Sequence, residues 1–293
     1  MNIKHLLRIA ALSAVLLGFT IQNARAANDN LTQYVNQYIG TGGHGHTVMG
    51  ANAPFGLVIV GPTEPLRGWD WTSGYHYSDN EIIGFGHMHL SGTGIGCLGD
   101  IALLPVSNAN QRSTFFTHDN ERMHPGYYSL RLTDPDVLVE LTATKRCAMH
   151  RYTFGKGAKA QLALDLAQCI GWDTPTDCML SQESPTRLIG YRRSTGWAKD
   201  RRIYFAMDFS RPVHVERADS MYRALLTFDN SDKPLLVKVA LSPVEPDKAK
   251  ANMNAEMPGW DFDAAVSKVD DEWNRQLSRI KIETNDNTRR RIF

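Results

Sequence analysis

Between residues 203 and 209 the chain reads Ile-Tyr-Phe-Ala-Met-Asp-Phe, with Ile203, Phe205, Met207 and Phe209 on one side and Tyr204, Ala206 and Asp208 on the other. An alternation of period two is what a half-buried strand requires, because successive side chains point to opposite faces. Runs of the same kind recur at 100–106, 126–133, 137–144, 148–154, 160–166, 188–194, 213–217, 221–228 and 234–242. So many short strands with no helical run among them predict an all-β fold, a large two-sheet antiparallel β-sandwich. A sandwich over 27–256 is long enough to bury a two-sheet core without staples.

The period changes after Pro258-Gly259, where Val266, Val269, Trp273, Leu277 and Ile280 recur at spacings of three and four. This predicts a C-terminal linker helix within 257–293, capped by Asp261 or Asp263. Its apolar stripe needs a cover, either the sandwich or a following domain. The closing residues, Asn-Asp-Asn-Thr-Arg-Arg-Arg-Ile-Phe, read as a cap and the first turn of another helix, too short to hold in water. The chain is therefore expected to be truncated at Phe293, and the Arg289-Arg290-Arg291 run to be a solvated helix face.

At the other end, Lys4 and Arg8 precede an apolar run from Ile9 to Ile21, and Ala24-Arg25-Ala26 offers small residues for cleavage. Residues 1–26 read as a secretory signal, the run being well short of the ~20 residues that span a bilayer. A periplasmic or secreted protein is expected, without a lipid anchor, since no cysteine lies near the cleavage site. Without Lys4, Arg8 and Arg25, 29 of the 32 basic residues remain against 31 acidic ones. That balance argues against nucleic acid or an anionic membrane as partner. Of Cys97, Cys147, Cys169 and Cys178, only the last two lie close in sequence, leaving a short-loop disulfide open beside the alternative of four buried thiols. Their spacings match no zinc pattern.

Function concentrates between residues 40 and 99, which hold fifteen of the 23 glycines and five of the 10 histidines. Gly40, Gly42 and Gly45, and again Gly94, Gly96 and Gly99, match the spacing of a dinucleotide fingerprint. Neither third glycine opens a helix, so the match carries no function. His87 and His89 flank Met88 and would project from one face of an extended segment, as metal-binding pairs do. A third ligand would have to come from His44, His46 or His76, and no helical spacing supports one. Histidines bonded to backbone carbonyls are the plainer alternative. In "RGWDWTSGYHYSD", 67–79, Trp69 and Trp71 bracket Asp70 ahead of Tyr75 and Tyr77. An indole beside a carboxylate and imidazoles suits a sugar, whose C–H faces are edged by hydroxyls. Trp69 is read as the ligand-facing indole and Trp71 as the packing one.

Six blocks together resemble the N-terminal part of family 92 glycoside hydrolases, calcium-dependent exo-α-mannosidases: "YVNQYIGTGGHGHTVMGANAPFG", "GWDWTSGYHYSD", "GFGHMHLSGTGIGCLGD", "PGYYSLRL", "VELTATKRCAMHRYTF" and "EMPGWDFDAAVSKVDDEWNRQLSRI". The resemblance implies a β-sandwich joined by helices to an (α/α)6 barrel, with the mannose site between them. It further implies that the acid and base of an inverting hydrolysis lie on the barrel, as do the Ca2+ ligands, so that no catalytic residue, metal ligand or cofactor is assigned to residues 1–293. To this chain it assigns a share of the sugar pocket: Trp69 packing on the sugar beside the cleaved mannose, Asp70 orienting it, and His44, His46, His87 and His89 lining or bracing the loops.

The expected function is the sugar-site-contributing domain of a secreted α-mannosidase acting on mannose-rich glycans, with the missing catalytic barrel as partner and no activity alone. A free-standing carbohydrate-binding sandwich is the alternative. A third reading gives Asp70, Asp79 or Asp100 hydrolytic chemistry of their own.

Overall fold

The computed structural model describes residues 30–217 and 222–293. The signal segment expected at 1–26 lies outside the described residues. Seven strands form one sheet, in the spatial order Ala51–Asn52, Ile59–Thr63, Gly84–Gly86, Ala102–Pro105, Gln161–Asp165, Arg223–Thr227 and His214–Arg217. Eight form the other, in the order Thr174–Ser184, Arg187–Thr195, Arg201–Phe209, Leu235–Ser242, Cys147–Phe154, Asp136–Ala143, Tyr127–Thr133 and Glu121–His124. All pairings are antiparallel. The architecture is the two-sheet β-sandwich that the alternating runs predict.

The core lies between the sheets. Val60, Phe85, Leu103, Leu164 and Leu226 from the first meet Tyr128, Val139, Tyr152, Phe205 and Val237 from the second, all fully buried. Ile203, Phe205, Met207 and Phe209 face this core together. Ala206, on the opposite side of that strand, is buried as well, because a helix covers the outer face of the eight-stranded sheet.

That helix, α1 (Pro246–Glu256), falls within the segment where no helix is expected. Only Ala249 and Met253, one turn apart, are buried on it, too few apolar residues to mark a helical period. It opens on Pro246 at its first turn, where the missing N–H costs nothing. At its end the Glu256 carboxylate accepts from Thr144 Oγ1 (2.5 Å) and the Arg146 N–H (2.9 Å), pinning it to the sheet.

The linker helix, α2 (Phe262–Leu277), is capped by Asp261, whose side chain accepts from the Ala264 N–H at 2.9 Å. The sandwich covers its stripe: Phe262 and Val269 are buried, and Trp273 Nε1 donates to the Asn52 carbonyl at 2.7 Å. Ile280, read as part of that stripe, lies beyond the helix end and is 65% exposed. Asn274 and Asp270 of α2 hold the start of the described chain, accepting from the Leu31 N–H (2.7 Å) and Thr32 Oγ1 (2.6 Å). A last short helix, α3 (Asn287–Ile292), is capped by Asp286 and tied back through Arg290 to the Tyr34 hydroxyl at 2.8 Å.

Thr174–Ser184, the one long strand absent from the sequence reading, lies at the sheet edge and pairs only with Arg187–Thr195, with irregularities at Pro175/Asp177 and Gln182/Ser184. Cys178 alone is buried on it, so packing imposes no apolar alternation there. No cysteine forms a disulfide, so the pairing left open for Cys169 and Cys178 is not made.

Candidate functional site

Three loops, around residues 40–50, 67–79 and 87–100, gather where strands Ile59–Thr63 and Gly84–Gly86 pair. The first of them lies against that strand pair by backbone: a Cβ added at Gly61 would sit 2.0 Å from the Met49 carbonyl oxygen. Only glycine permits that approach.

Trp69, Asp70 and Trp71 occupy one 3-10 turn. Trp69 is 58% exposed, although its Nε1 is anchored by a 2.8 Å bond to the Gly94 carbonyl. The edge of its ring meets His46 (centroids 4.2 Å) and it lies 5.5 Å from the His44 ring. His44, itself well exposed, donates Nδ1–H to the Asp70 carboxylate at 2.6 Å. His46 is buried, with Nδ1 bonded to Thr72 Oγ1 at 3.0 Å and Nε2 without a protein partner. Trp71 turns the other way. It stacks on His76 (4.3 Å) and donates Nε1–H to Asp79 at 2.9 Å.

His87 and His89 do not share a face, contrary to the reading from an extended segment. His89 donates Nδ1–H to the Ile59 carbonyl (2.9 Å) and accepts from Thr63 Oγ1 (3.0 Å). His87 is fully buried and crosses between the sheets. Its Nδ1–H donates to the Ile101 carbonyl at 2.6 Å, and its Nε2 lies 2.9 Å from Nε2 of His150 in the opposite sheet. His150 Nδ1 in turn lies 2.8 Å from the Tyr152 hydroxyl. One assignment satisfies every atom: Tyr152 donates to His150, His150 donates to His87, and His87 donates to Ile101, all rings neutral. Burial enforces it, pushing His87 down to about 4, His150 well below its ordinary range and the Tyr152 phenol well up. His87 reaches no surface, so its part is to brace the loop rather than to line a pocket.

Asp100, at the end of the glycine-rich loop, sits in a buried ion network that the sequence reading missed. Arg192 Nη1 donates to it at 2.7 Å and Arg201 at 2.8 Å, while both arginines also meet Asp173. Arg192 is fully buried and its Nε donates to the Leu166 carbonyl at 2.9 Å. A signal was present: Leu188, Gly190, Arg192 and Ser194 alternate, and all four are buried, which puts a charged side chain on a core-facing position. Its acidic partner, 92 residues away, carries no local mark.

These placements separate the six candidate residues. Trp69, Asp70 and His44 form an open rim, His46 lies directly beneath it, and His87 and His89 sit deeper, bonded at both ring nitrogens. Asp79 is buried; burial pushes its carboxyl up, but donors led by the Arg67 guanidinium hold it below the usual range. Asp100 is buried between arginines. Carboxylates so engaged do not offer the acid and base pair that the third reading needs. Among the described residues no group of three or more His, Cys, Asp or Glu could hold a metal ion.

The family model described as the glycosyl hydrolase family 92 N-terminal domain matches residues 34–242. The model for the family 92 catalytic domain matches residues 248–293. Residues 243–247 lie between the two matches. A family GH92 alpha-mannosidase of Bacteroides thetaiotaomicron superposes with a TM-score of 0.83 at 29% identity, over 90% of this chain and 40% of that one. Its complex with mannoimidazole superposes at 0.82, again at 29% identity, over 89% and 39%. An uncharacterized secreted glycosidase of Arthroderma benhamiae is 23% identical over 320 residues, covering 93% of this chain and 41% of the relative. The chain thus spans about two fifths of the length of the relatives it matches. No helix among the described residues is long and apolar enough to cross a membrane.

Proposed function

The chain belongs to glycosyl hydrolase family 92, and on that premise we propose that its sandwich supplies one wall of the mannoside cleft of a secreted α-mannosidase acting on mannose-rich glycans. The observation that carries this reading is Trp69, a 58% exposed indole anchored through Nε1, with the His46 and His44 rings 4.2 and 5.5 Å from its own and His44 paired with the Asp70 carboxylate. The free face stacks on the C–H face of a pyranose next to the cleaved mannose. Asp70, oriented by His44, accepts from sugar hydroxyls.

In this reading cleavage is inverting, with an acid that protonates the leaving oxygen and a base that activates water, about 6.5–9.5 Å apart. Both belong to the catalytic domain whose beginning residues 248–293 match. Calcium, when bound there, would hold mannose hydroxyls. It is a hard cation that needs six or more oxygen ligands, and the imidazole-rich rim does not fit it. The part of residues 34–242 is to bind and orient the sugar and to exclude water from one side.

Calorimetric titration of the chain with an α-linked mannobiose tests the assignment. Trp69→Ala is expected to weaken binding by at least ~1 kcal/mol, about fivefold, with the far-ultraviolet circular dichroism unchanged. Equal affinity in the variant would make Trp69 a packing residue.

A further inference from the structure

Two more tryptophans are as exposed as Trp69: Trp172 at 63% and Trp197 at 65%. Two of the three are held by one glycine-rich loop, and the third by the segment beside it. The loop's Gly92 N–H donates to the His46 carbonyl (2.7 Å), and its Gly94 carbonyl receives Trp69 Nε1 (2.8 Å). Two residues on, Gly96 lies against Gly171, the residue before Trp172. A Cβ at Gly96 would sit 2.9 Å from Gly171 Cα, and a Cβ at Gly171 would sit 2.8 Å from Gly96 Cα, so only a glycine pair allows the two segments to touch. The Ile170 N–H donates to the Leu98 carbonyl at 2.9 Å and closes the contact. The Trp197 segment adjoins the Trp172 segment rather than the loop itself, through Gly196 against Asp173.

Gly94 and Gly96, where the first two are held, are two residues apart, at most about 7 Å of main chain, and the Trp197 segment joins the Trp172 segment through Gly196 and Asp173. Spacings of that size are on the scale of linked sugar rings. The platform under the two outer indoles is rigid. Asp173, which follows Trp172, is bonded to Arg192 and Arg201, and Gly196, which precedes Trp197, packs on Asp173, where a Cβ would sit 3.0 Å from its Cα. The ion network of two aspartates and two arginines beneath is neutral in sum, so the surface does not call for a charged ligand.

The exposed apolar side chains also have a composition. Within 91–98, 170–173 and 195–198 the only exposed large hydrophobic residues are Trp172 and Trp197, with no aliphatic beside them. Indoles standing among serine, threonine and glycine suit the alternating C–H faces and hydroxyls of a glycan.

We propose that Trp69, Trp172 and Trp197 form one aromatic track, along the 92–98 loop and the segments beside it, that binds consecutive units of an extended mannoside, Trp69 taking the sugar beside the cleaved bond and the other two the units beyond it. The proposal rests on the cleft reading of Trp69 and adds a substrate class: mannosides of three or more units are preferred over disaccharides.

The test titrates the chain with an α-linked mannobiose and an α-linked mannotetraose. Wild type is expected to bind the tetraose about fivefold tighter, and Trp172→Ala and Trp197→Ala each to lose most of that advantage while keeping their biose affinity. Both side chains are exposed, and unchanged circular dichroism confirms that the variants fold. Tetraose affinity unchanged in both variants, the outcome expected if the indoles face a protein, overturns the track. So does an equal loss for both ligands, or a wild type that shows no preference. Trp69→Ala read on the biose separates the two assignments: an unchanged biose affinity there refutes the cleft reading, while a lost biose affinity with an unaffected tetraose preference in the outer variants refutes the track alone.

Discussion

Replacing Asp100 with alanine is expected to lower the free energy of unfolding by about 3–5 kcal/mol, a large part of the 5–15 kcal/mol typical of a domain. The aspartate accepts from Arg192 and Arg201, and its removal leaves Arg192, fully buried, with Asp173 and one carbonyl as its partners. An uncompensated guanidinium in the interior loses far more than the net value of the ion pairs themselves. Asp100→Asn keeps the volume but removes the charge and is expected to be nearly as costly. Urea unfolding at pH 7 measures both. A loss below about 1 kcal/mol in each would mean that solvent reaches the arginines and that the network does not hold the loop.

The second large effect is on acid stability. His87 titrates at about 4 in the folded chain against an ordinary 6.5, because burial disfavours its charged form. Above pH 6.5 both states are neutral and the full stability is present. As pH falls from 6.5 towards 4 the unfolded chain takes up the proton first, so stability is lost, by about 3 kcal/mol across the window for this residue. His150 is shifted in the same direction and adds to the loss. Glu64 works the other way: burial pushes its carboxyl up to about 9, so its part of the stability is lost as pH rises from 4.5. A comparison of variants at each pH isolates the histidine contribution. His87→Gln, which does not titrate, should be less stable at pH 7 but fall less steeply between pH 6.5 and 4.5. Parallel curves for the two proteins would show that the His87, His150 and Tyr152 ladder does not impose the neutral form.

Much of the fold could be read directly, and the reasons are specific. Strands such as Arg201–Phe209 alternate because one face meets the opposite sheet, so burial writes a period into the sequence. Thr174–Ser184 and α1 escape for the converse reason, the first burying Cys178 alone and the second two residues. In the candidate site, composition singled out loops that the structure brings together. It did not separate His44, at the rim, from His87, in the core, since both stand in glycine-rich runs of the same character. The distinction depends on His150, Tyr152 and Arg192, residues of another sheet whose positions no local pattern encodes.

Stacking of the Trp69 indole on a mannose ring can be detected directly. Saturation-transfer difference NMR on the chain with methyl α-mannoside, irradiating the aromatic protons, should transfer magnetisation to the C–H protons of one sugar face, and Trp69→Ala should weaken it severalfold. Transfer that persists unchanged in the variant, or no transfer in the wild type, would contradict a sandwich that forms one wall of a mannoside cleft.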